Sequence, residues 1–426
     1  MNKTKLTWVF GFTLFAGFFG AGNLVLPPLL GFKSGSDWWL VALGFMTTAT
    51  IIPLLGLFGH AKLQGTILDF GNKVSPTFSL IYSFCVLLIA ISLPCPRTAA
   101  VTHEMSIQPF FDTSSLWTST IFFLLVLVFA IKRSKALDVL GKFLTPLIVL
   151  ILLAIIVVGV LGPDYNMNPT QFSAPFIDGF LEGYQTYDAI AGILMGGIVV
   201  ISLNQYGRFS ISEKKKIIAK SGLIAMLGLF LIYAGLIAVG AFYNSEFAND
   251  ISRTELLLGL STKTLGNIGA TFLSVLVGLA CFSTAVAITV SVADVIKVYL
   301  NGSQKAYIIT AVVVCIIGVL VGRFDVHYII DVALPALMFI YPITIVLILL
   351  NVLPKRFASS LVFKAVILTT FVFSIPDFLG FFMPIEKLQG IIEVIPFAKD
   401  SLGWVLPAFI IWIVLNLKNF TTKASA

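Results

Sequence analysis

The feature that most constrains this chain is a succession of long apolar runs that contain no charged residue. A membrane helix needs about 20 such residues. Eleven runs are long enough to cross a bilayer: 6–32, 38–59, 74–96, 113–131, 143–163, 189–207, 221–245, 264–293, 306–322, 332–354 and 401–417. A twelfth, around 357–383, carries Lys364 near one end and Asp377 near the other. We therefore predict an all-α polytopic membrane protein with 12 transmembrane helices, of which the eleventh has the weakest signal.

Composition excludes most other classes. Of the 426 residues 58% are hydrophobic and 11% are charged, whereas a globular domain has about 45–50% apolar and about 25% charged residues. A soluble enzyme, a nucleic-acid-binding module and a disordered chain are excluded on this ground. The partner is the lipid bilayer, with no nucleic acid, and the net charge of +7 is interpreted as membrane topology. The four scattered cysteines show no metal-binding spacing, so no cofactor is expected.

The loops indicate orientation and domain organisation. With the N-terminus in the cytoplasm, about three quarters of the 27 lysines and arginines fall on the cytoplasmic side, as the positive-inside rule requires. Both termini are therefore predicted to be cytoplasmic. The first apolar run continues to Phe32, well beyond a signal peptide's apolar core, and is expected to be a retained helix. Because every linker is short, residues 1–426 are expected to form a single integral membrane domain.

The first predicted span contains a helix-breaking sequence. Gly20-Ala21-Gly22-Asn23 loosens the helix and supplies a polar side chain, and Pro27 and Pro28 suit the first turn of a second half-helix. Irregular backbone inside a membrane is tolerated only beside protein or a water-filled cavity. The pattern predicts either a binding site or close helix packing by small residues.

A second break is predicted near the sixth span. Glu182 and the segment Tyr184-Gln185-Thr186-Tyr187-Asp188 lie between two apolar arms. Ionisable groups at membrane depth are costly and usually line a site. The other interpretation is a solvated outer loop, but the apolar residues of 176–181 favour an embedded segment.

The two breaks are separated by about five spans, which suggests two five-helix repeats of opposite orientation. We predict a first repeat over 1–163, a second, inverted repeat over 175–354, and two additional helices over 355–426. Interrupted helices in corresponding positions of two halves indicate a transporter's central site. A further polar pair, Ser283-Thr284 in the eighth span, suits a hard cation but more often only joins helices.

Three stretches carry a family resemblance: FFGAGNLVLPP at 18–28, PRTAAVTHE at 96–104 and GFLEGYQTYDA at 179–189. Over essentially its whole length, the chain resembles the branched-chain amino acid:cation symporters of the LIVCS type, the bacterial BrnQ carriers. The resemblance implies uptake of leucine, isoleucine and valine with a cation across the bacterial inner membrane. It also implies a leucine-transporter-type fold, with broken helices 1 and 6.

The resemblance further implies the site residues. The substrate would bind at the two breaks, with its carboxylate on the main chain of Ala21 and Gly22. The residues that would bind it are Gly20, Ala21, Gly22, Asn23, Tyr184, Gln185, Thr186, Tyr187 and Asp188. One Na⁺ would bind at Ala16, Phe19, Ala280, Ser283 and Thr284. The bulky Phe18 argues against a second sodium. Arg97 has no counterpart in the family's fold. It either pairs with Glu104 or another carboxylate or, as we expect, extends outward to the membrane surface.

Coupling to H⁺ is the alternative within this class, with Glu182, Asp188 and Asp331 as candidate proton carriers. A channel is disfavoured because no ring of charges or carbonyl filter motif is visible. A membrane enzyme is disfavoured because the three histidines lie near span ends without a nucleophile or metal motif. The sequence leaves the oligomeric state open.

Overall fold

The computed structural model describes residues 2–20, 22–132, 136–162, 166–206 and 209–421. Within these ranges the chain is helical and contains no strand. The helices are α1 (Lys3–Phe18), α2 (Gly22–Ser34), α3 (Trp38–Met46), α4 (Ile52–Leu63), α5 (Ile67–Gly71), α6 (Pro76–Ser92), α7 (Pro94–Thr102), α8 (Ser115–Lys132), α9 (Ala136–Val160), α10 (Pro175–Glu182), α11 (Asp188–Tyr206), α12 (Ile211–Phe242), α13 (Arg253–Tyr299), α14 (Gln304–Gly322), α15 (Val326–Val352), α16 (Ser360–Leu379), α17 (Ile385–Ile392) and α18 (Val405–Thr421).

The number of membrane spans is supported only in part. In the described ranges, eight helices are long and apolar enough to cross a membrane, or up to nine if α10 and α11 form one bent span. Two further apolar helices are shorter, Leu144–Val160 and Val405–Asn419. The chain is therefore a multi-pass helical membrane protein, while twelve spans and the repeat boundaries stay predictions.

The first predicted span is broken between α1 and α2. Phe19 has left the helical conformation, with ψ at 69°, and α2 begins at Gly22. The sequence predicts Pro27 and Pro28 in the first turn of the second half-helix. In the structure they lie further inside α2, at its sixth and seventh residues. Proline has no N–H, so the carbonyls of Asn23 and Leu24 lose their normal helical partners. The prolines thus leave main-chain carbonyls without helical partners in the first turn of α2, next to the break.

The sixth predicted span is broken between α10 and α11. Gly183–Thr186 form one turn of 3₁₀-helix, and Tyr187 adopts a left-handed conformation with φ at +66°. The two helices meet at an angle of 45°. A left-handed tyrosine is uncommon, and such backbone strain persists only where the surroundings enforce it.

The second span changes pitch at the same level. One turn of π-helix, Thr47–Ile51, separates α3 from α4. The Thr48 hydroxyl donates to the Phe180 carbonyl at 2.8 Å, and a Cβ added to Gly183 would overlap with the Thr48 hydroxyl. The irregular turn of the second span therefore packs directly on the break of the sixth.

Glycines allow several helices to approach backbone to backbone. A Cβ at Gly31 would overlap with the Ile237 carbonyl, and a Cβ at Gly240 would overlap with the Pro28 carbonyl, so α2 and α12 are in close contact. Gly179 approaches the Val41 carbonyl in the same way, which joins α10 to α3. Contacts of this kind are typical of packing between membrane helices.

Replacing Gly240 with valine is expected to prevent correct folding, because neither backbone can retreat from the added side chain without separating α2 from α12. We expect the yield of monodisperse protein in size-exclusion chromatography to fall at least about tenfold, since overpacking costs about 1–3 kcal/mol even where side chains can adjust. Gly390→Val is the matched control, because a Cβ at Gly390 meets no atom within 4 Å. Equal yields for the two variants would contradict this account.

Candidate functional site

The two breaks meet at a pair of buried polar side chains. The Asn23 amide nitrogen donates to the two Asp188 carboxylate oxygens at 2.9 and 3.1 Å. The same nitrogen lies 2.8 Å from the Phe18 carbonyl, at the end of α1. Asn23 and Asp188 are each only 2% exposed. A buried carboxylate is costly without partners, and Asn23 supplies one for Asp188. The contact joins the first and sixth spans at the centre of the protein.

A tyrosine of the seventh span completes this centre. The Tyr233 hydroxyl donates to Asp188 at 3.3 Å and accepts from the Asn23 amide at 2.8 Å. Phe45 packs edge-on against its ring with centroids 5.5 Å apart. Sequence reasoning missed Tyr233, which lies within a charge-free apolar run. The only available signal was a hydroxyl-bearing ring in the middle of a span, where a polar tip needs a partner.

Replacing Tyr233 with phenylalanine is expected to raise the KM for substrate uptake about tenfold, because the lost hydrogen bond to a carboxylate is worth about 1.5–3 kcal/mol. Initial rates of uptake into vesicles, measured over a range of substrate concentrations, give the KM. Tyr82→Phe is the matched control, since Tyr82 is also buried but bonds to Thr344, at 2.9 Å. A similar change in KM for both variants would argue against a role of Tyr233 at the centre.

The unwound segment of the sixth span is held by contacts on several sides. The Thr186 hydroxyl accepts from the Asp188 amide at 3.2 Å. The Tyr184 ring stacks on Tyr341 of α15 with centroids 4.3 Å apart, and the Tyr187 hydroxyl donates to the Val86 carbonyl at 2.6 Å. The predicted residues 184–188 are all buried, and Asp188 joins their segment to Asn23.

Two arginines bind Gln185 in the same segment. The expectation that Arg97 extends outward is wrong. Its side chain is buried, with 4% exposed, and donates to the Gln185 carbonyl at 2.9 Å. Arg253, at the start of α13, is 8% exposed and donates to the Gln185 side-chain oxygen at 3.2 Å. The Gln185 amide in turn donates to Glu182 at 2.6 Å. Glu182 is thus connected to Arg253 through one glutamine.

The residues proposed for sodium lie at the end of α1 and in α13. A Cβ placed on Gly20 would come within 3.8 Å of the Thr284 methyl group, so α13 passes directly beside the break. The Ser283 hydroxyl donates to the Ala280 carbonyl at 2.9 Å. Ala16 lies in the last turn of α1 and Phe19 just beyond it, where main-chain carbonyls lose their helical partners.

Three predicted site residues need separate mention. Ala21 lies outside the described residues, and Gly22 is the first residue of α2. Asp331 does not join the centre. Its side chain is 55% exposed and its carboxylate lies 3.4 Å from the His327 ring.

Two interrupted helices that meet at buried polar side chains, within a bundle of apolar helices, define a membrane transporter of the leucine-transporter type. A family model described as "Branched-chain amino acid transport protein" matches residues 3–421. A putative branched-chain amino acid carrier protein of Staphylococcus aureus (strain USA300) is 32% identical, over 99% of this chain and 98% of the relative.

Solved structures support the fold. The inward-facing conformation of Mhp1 superposes with a TM-score of 0.63 at 14% identity, covering 98% of this chain and 91% of that one. A Na⁺-coupled sialic acid symporter in a substrate-bound, outward-open state superposes with a TM-score of 0.56 at 14% identity, covering 96% and 89%. The chain belongs to the branched-chain amino acid transport protein family, the BrnQ-type carriers. It is a secondary transporter and not an enzyme.

Proposed function

We propose that the protein imports leucine, isoleucine and valine by symport with Na⁺ through alternating access. The observation that carries this proposal is the contact between Asn23 and Asp188, which joins the two breaks in a chain that matches the family over residues 3–421. We also propose that the chain lies in the bacterial inner membrane with both termini in the cytoplasm, as the distribution of lysine and arginine predicts.

In this proposal the substrate binds where the breaks meet. Its carboxylate accepts from the main chain of Ala21 and Gly22, because the free N–H groups and the positive end of the α2 dipole favour an anion there. Its ammonium group pairs with Asp188, and its side chain faces the aromatic rings of Tyr184 and Tyr187. An apolar pocket discriminates by only about 1–3 kcal/mol per methylene, so the three branched substrates are expected to compete with one another.

Sodium is the proposed coupling ion, bound by oxygen atoms of Ala16, Phe19, Ala280, Ser283 and Thr284. The proximity of Thr284 to Gly20 supports this arrangement, because a cation there would hold α13 to the first break. The alternative is coupling to H⁺ through Asp188 or Glu182, and the burial of the Asp188 carboxylate favours it as the second candidate.

Alternating access follows from differential binding. Cation and substrate order the two breaks and favour rocking of the first, second, sixth and seventh predicted spans against the others. A ligand shifts such an equilibrium only by its difference in affinity between the two states. In this proposal, the cation and the substrate both bind at the two breaks, and the backbone conformation of these breaks differs between the two states.

The test is uptake of labelled leucine into proteoliposomes with an imposed sodium or proton gradient at matched voltage. We expect accumulation with sodium that unlabelled isoleucine and valine inhibit, and no accumulation by a Gly22→Leu variant that folds normally. Accumulation with protons alone would transfer coupling to the carboxylates. Unchanged uptake by Gly22→Leu would refute the location of the site.

A further inference from the structure

A group of lysines gathers at the end of the bundle that the charge distribution assigns to the cytoplasm. Lys62 is at the end of α4, Lys73 precedes α6, Lys215 is in the first turns of α12, and Lys355 follows α15. Lys62 is near enough to the other three for their charges to repel one another. Four separate parts of the chain thus bring positive charge to one place, which we call the inner lysine cluster.

The inner lysine cluster is not neutralised by acidic side chains. Across the described ranges, none of these four lysines has a carboxylate within ion-pairing distance, and the nearby Glu213 pairs with Lys3 instead. Burial and the charge of Lys355 lower the pKa of Lys73. An uncompensated cluster of this kind attracts an anion.

The cluster borders a cavity that opens at the surface between α4 and α12. The cavity has a volume of about 290 Å³ and is lined by Phe58, Ala61, Lys62, Lys215 and Ala219. Two lysine side chains and three apolar side chains therefore line the same cavity. Basic pockets between helices on the cytoplasmic side of a membrane are suited to the head groups of anionic lipids.

We propose that this cavity binds the phosphate of an anionic phospholipid, with Lys62 and Lys215 on the phosphate and an acyl chain along Phe58, Ala61 and Ala219. The apolar wall favours a lipid over a free phosphate ion, because a free ion would leave that wall exposed. Lys62 also donates to the Leu353 carbonyl, which ties the end of α4 to the end of α15. The lipid therefore binds where the second, seventh and tenth spans are joined.

The experiment measures lipid retention by the full-length protein, purified in mild detergent. The protein is incubated with phosphatidylglycerol, with phosphatidylcholine, or with inorganic phosphate at a concentration on the order of 10 mM, which would occupy a weak anion site. Native mass spectrometry counts the bound lipids. The test variant is Lys62→Gln/Lys215→Gln. The control is Lys216→Gln/Lys220→Gln, which removes the same charge from exposed positions of the same helix.

We expect the wild type and the control to retain one phosphatidylglycerol that phosphatidylcholine does not replace. Each cavity lysine contributes about a fivefold gain in affinity near an anionic surface, so the test variant should bind about 25-fold more weakly. Lys215→Gln alone, at an exposed position, gives the intermediate effect if the double variant misfolds. Equal retention by test and control variants would overturn the proposal, as would displacement by inorganic phosphate. Transport is not measured, so the result is independent of the proposed substrate and coupling ion.

Discussion

Replacing Asp188 with asparagine is expected to reduce concentrative leucine uptake about a hundredfold or more. The carboxylate is buried between Asn23 and Tyr233, and in the proposed site it pairs with the substrate's ammonium group. Removing one partner of a buried charge pair costs about 3–5 kcal/mol. Asparagine preserves the size of the side chain, so the variant is expected to fold and to reach the membrane.

Asp331→Asn is the matched control for this prediction, because the Asp331 side chain is 55% exposed and lies beside His327. Both variants are measured by labelled-leucine uptake, with protein amount determined by quantitative blotting. Loss of uptake in Asp331→Asn together with normal uptake in Asp188→Asn would transfer the essential charge to the tenth span and contradict the proposed centre.

The double substitution Ser283→Ala/Thr284→Ala is expected to raise the sodium concentration for half-maximal uptake about a hundredfold. It removes two oxygen atoms from the proposed cation site, and contacts to a charged group are worth about 1.5–3 kcal/mol each. The measurement is the initial rate of leucine uptake as a function of external sodium at fixed voltage.

Ser274→Ala/Thr289→Ala provides the control on the same helix. Both of these hydroxyls are buried and bond to carbonyls of their own helix, Ala270 and Ala285, so their loss changes packing without changing the cation site. Normal sodium dependence in the Ser283/Thr284 variant would show that the cation binds elsewhere. Sodium-independent uptake by the wild type would favour the proton alternative.

Much of the architecture was predictable because membrane helices leave strong one-dimensional signals. Apolar runs gave the positions of the helices, and Gly20-Ala21-Gly22-Asn23 marked the first break. The polar segment 184–188 marked the second. The exact start of α2 was not predictable, since Pro27 and Pro28 are tolerated inside a membrane helix once neighbouring groups satisfy the freed carbonyls.

The partners of the site were harder to predict, because they depend on which helix faces which. The sequence predicts that Arg97 extends to the membrane surface, yet its guanidinium group donates to Gln185, as does that of Arg253. A single sequence shows where a charge lies along the chain but not what lies opposite. Tyr233 was overlooked for the same reason, and its role depends on the close packing of α12 against α2 at Gly240.

The paired irregular turns of the second and sixth spans have a mechanical consequence. Their first halves, α3 and α10, touch backbone to backbone at Gly179, and their second halves, α4 and α11, come close at Gly192, where a Cβ would lie 2.9 Å from the Pro53 carbonyl. Between these two contacts, the Thr48 hydroxyl of the π-helical turn donates to the Phe180 carbonyl, in the last turns of α10. The second and sixth spans are therefore held together on both sides of their irregular turns, and they bend at the same place. A ligand that changes the angle of the sixth span must change that of the second, although it touches only one of them.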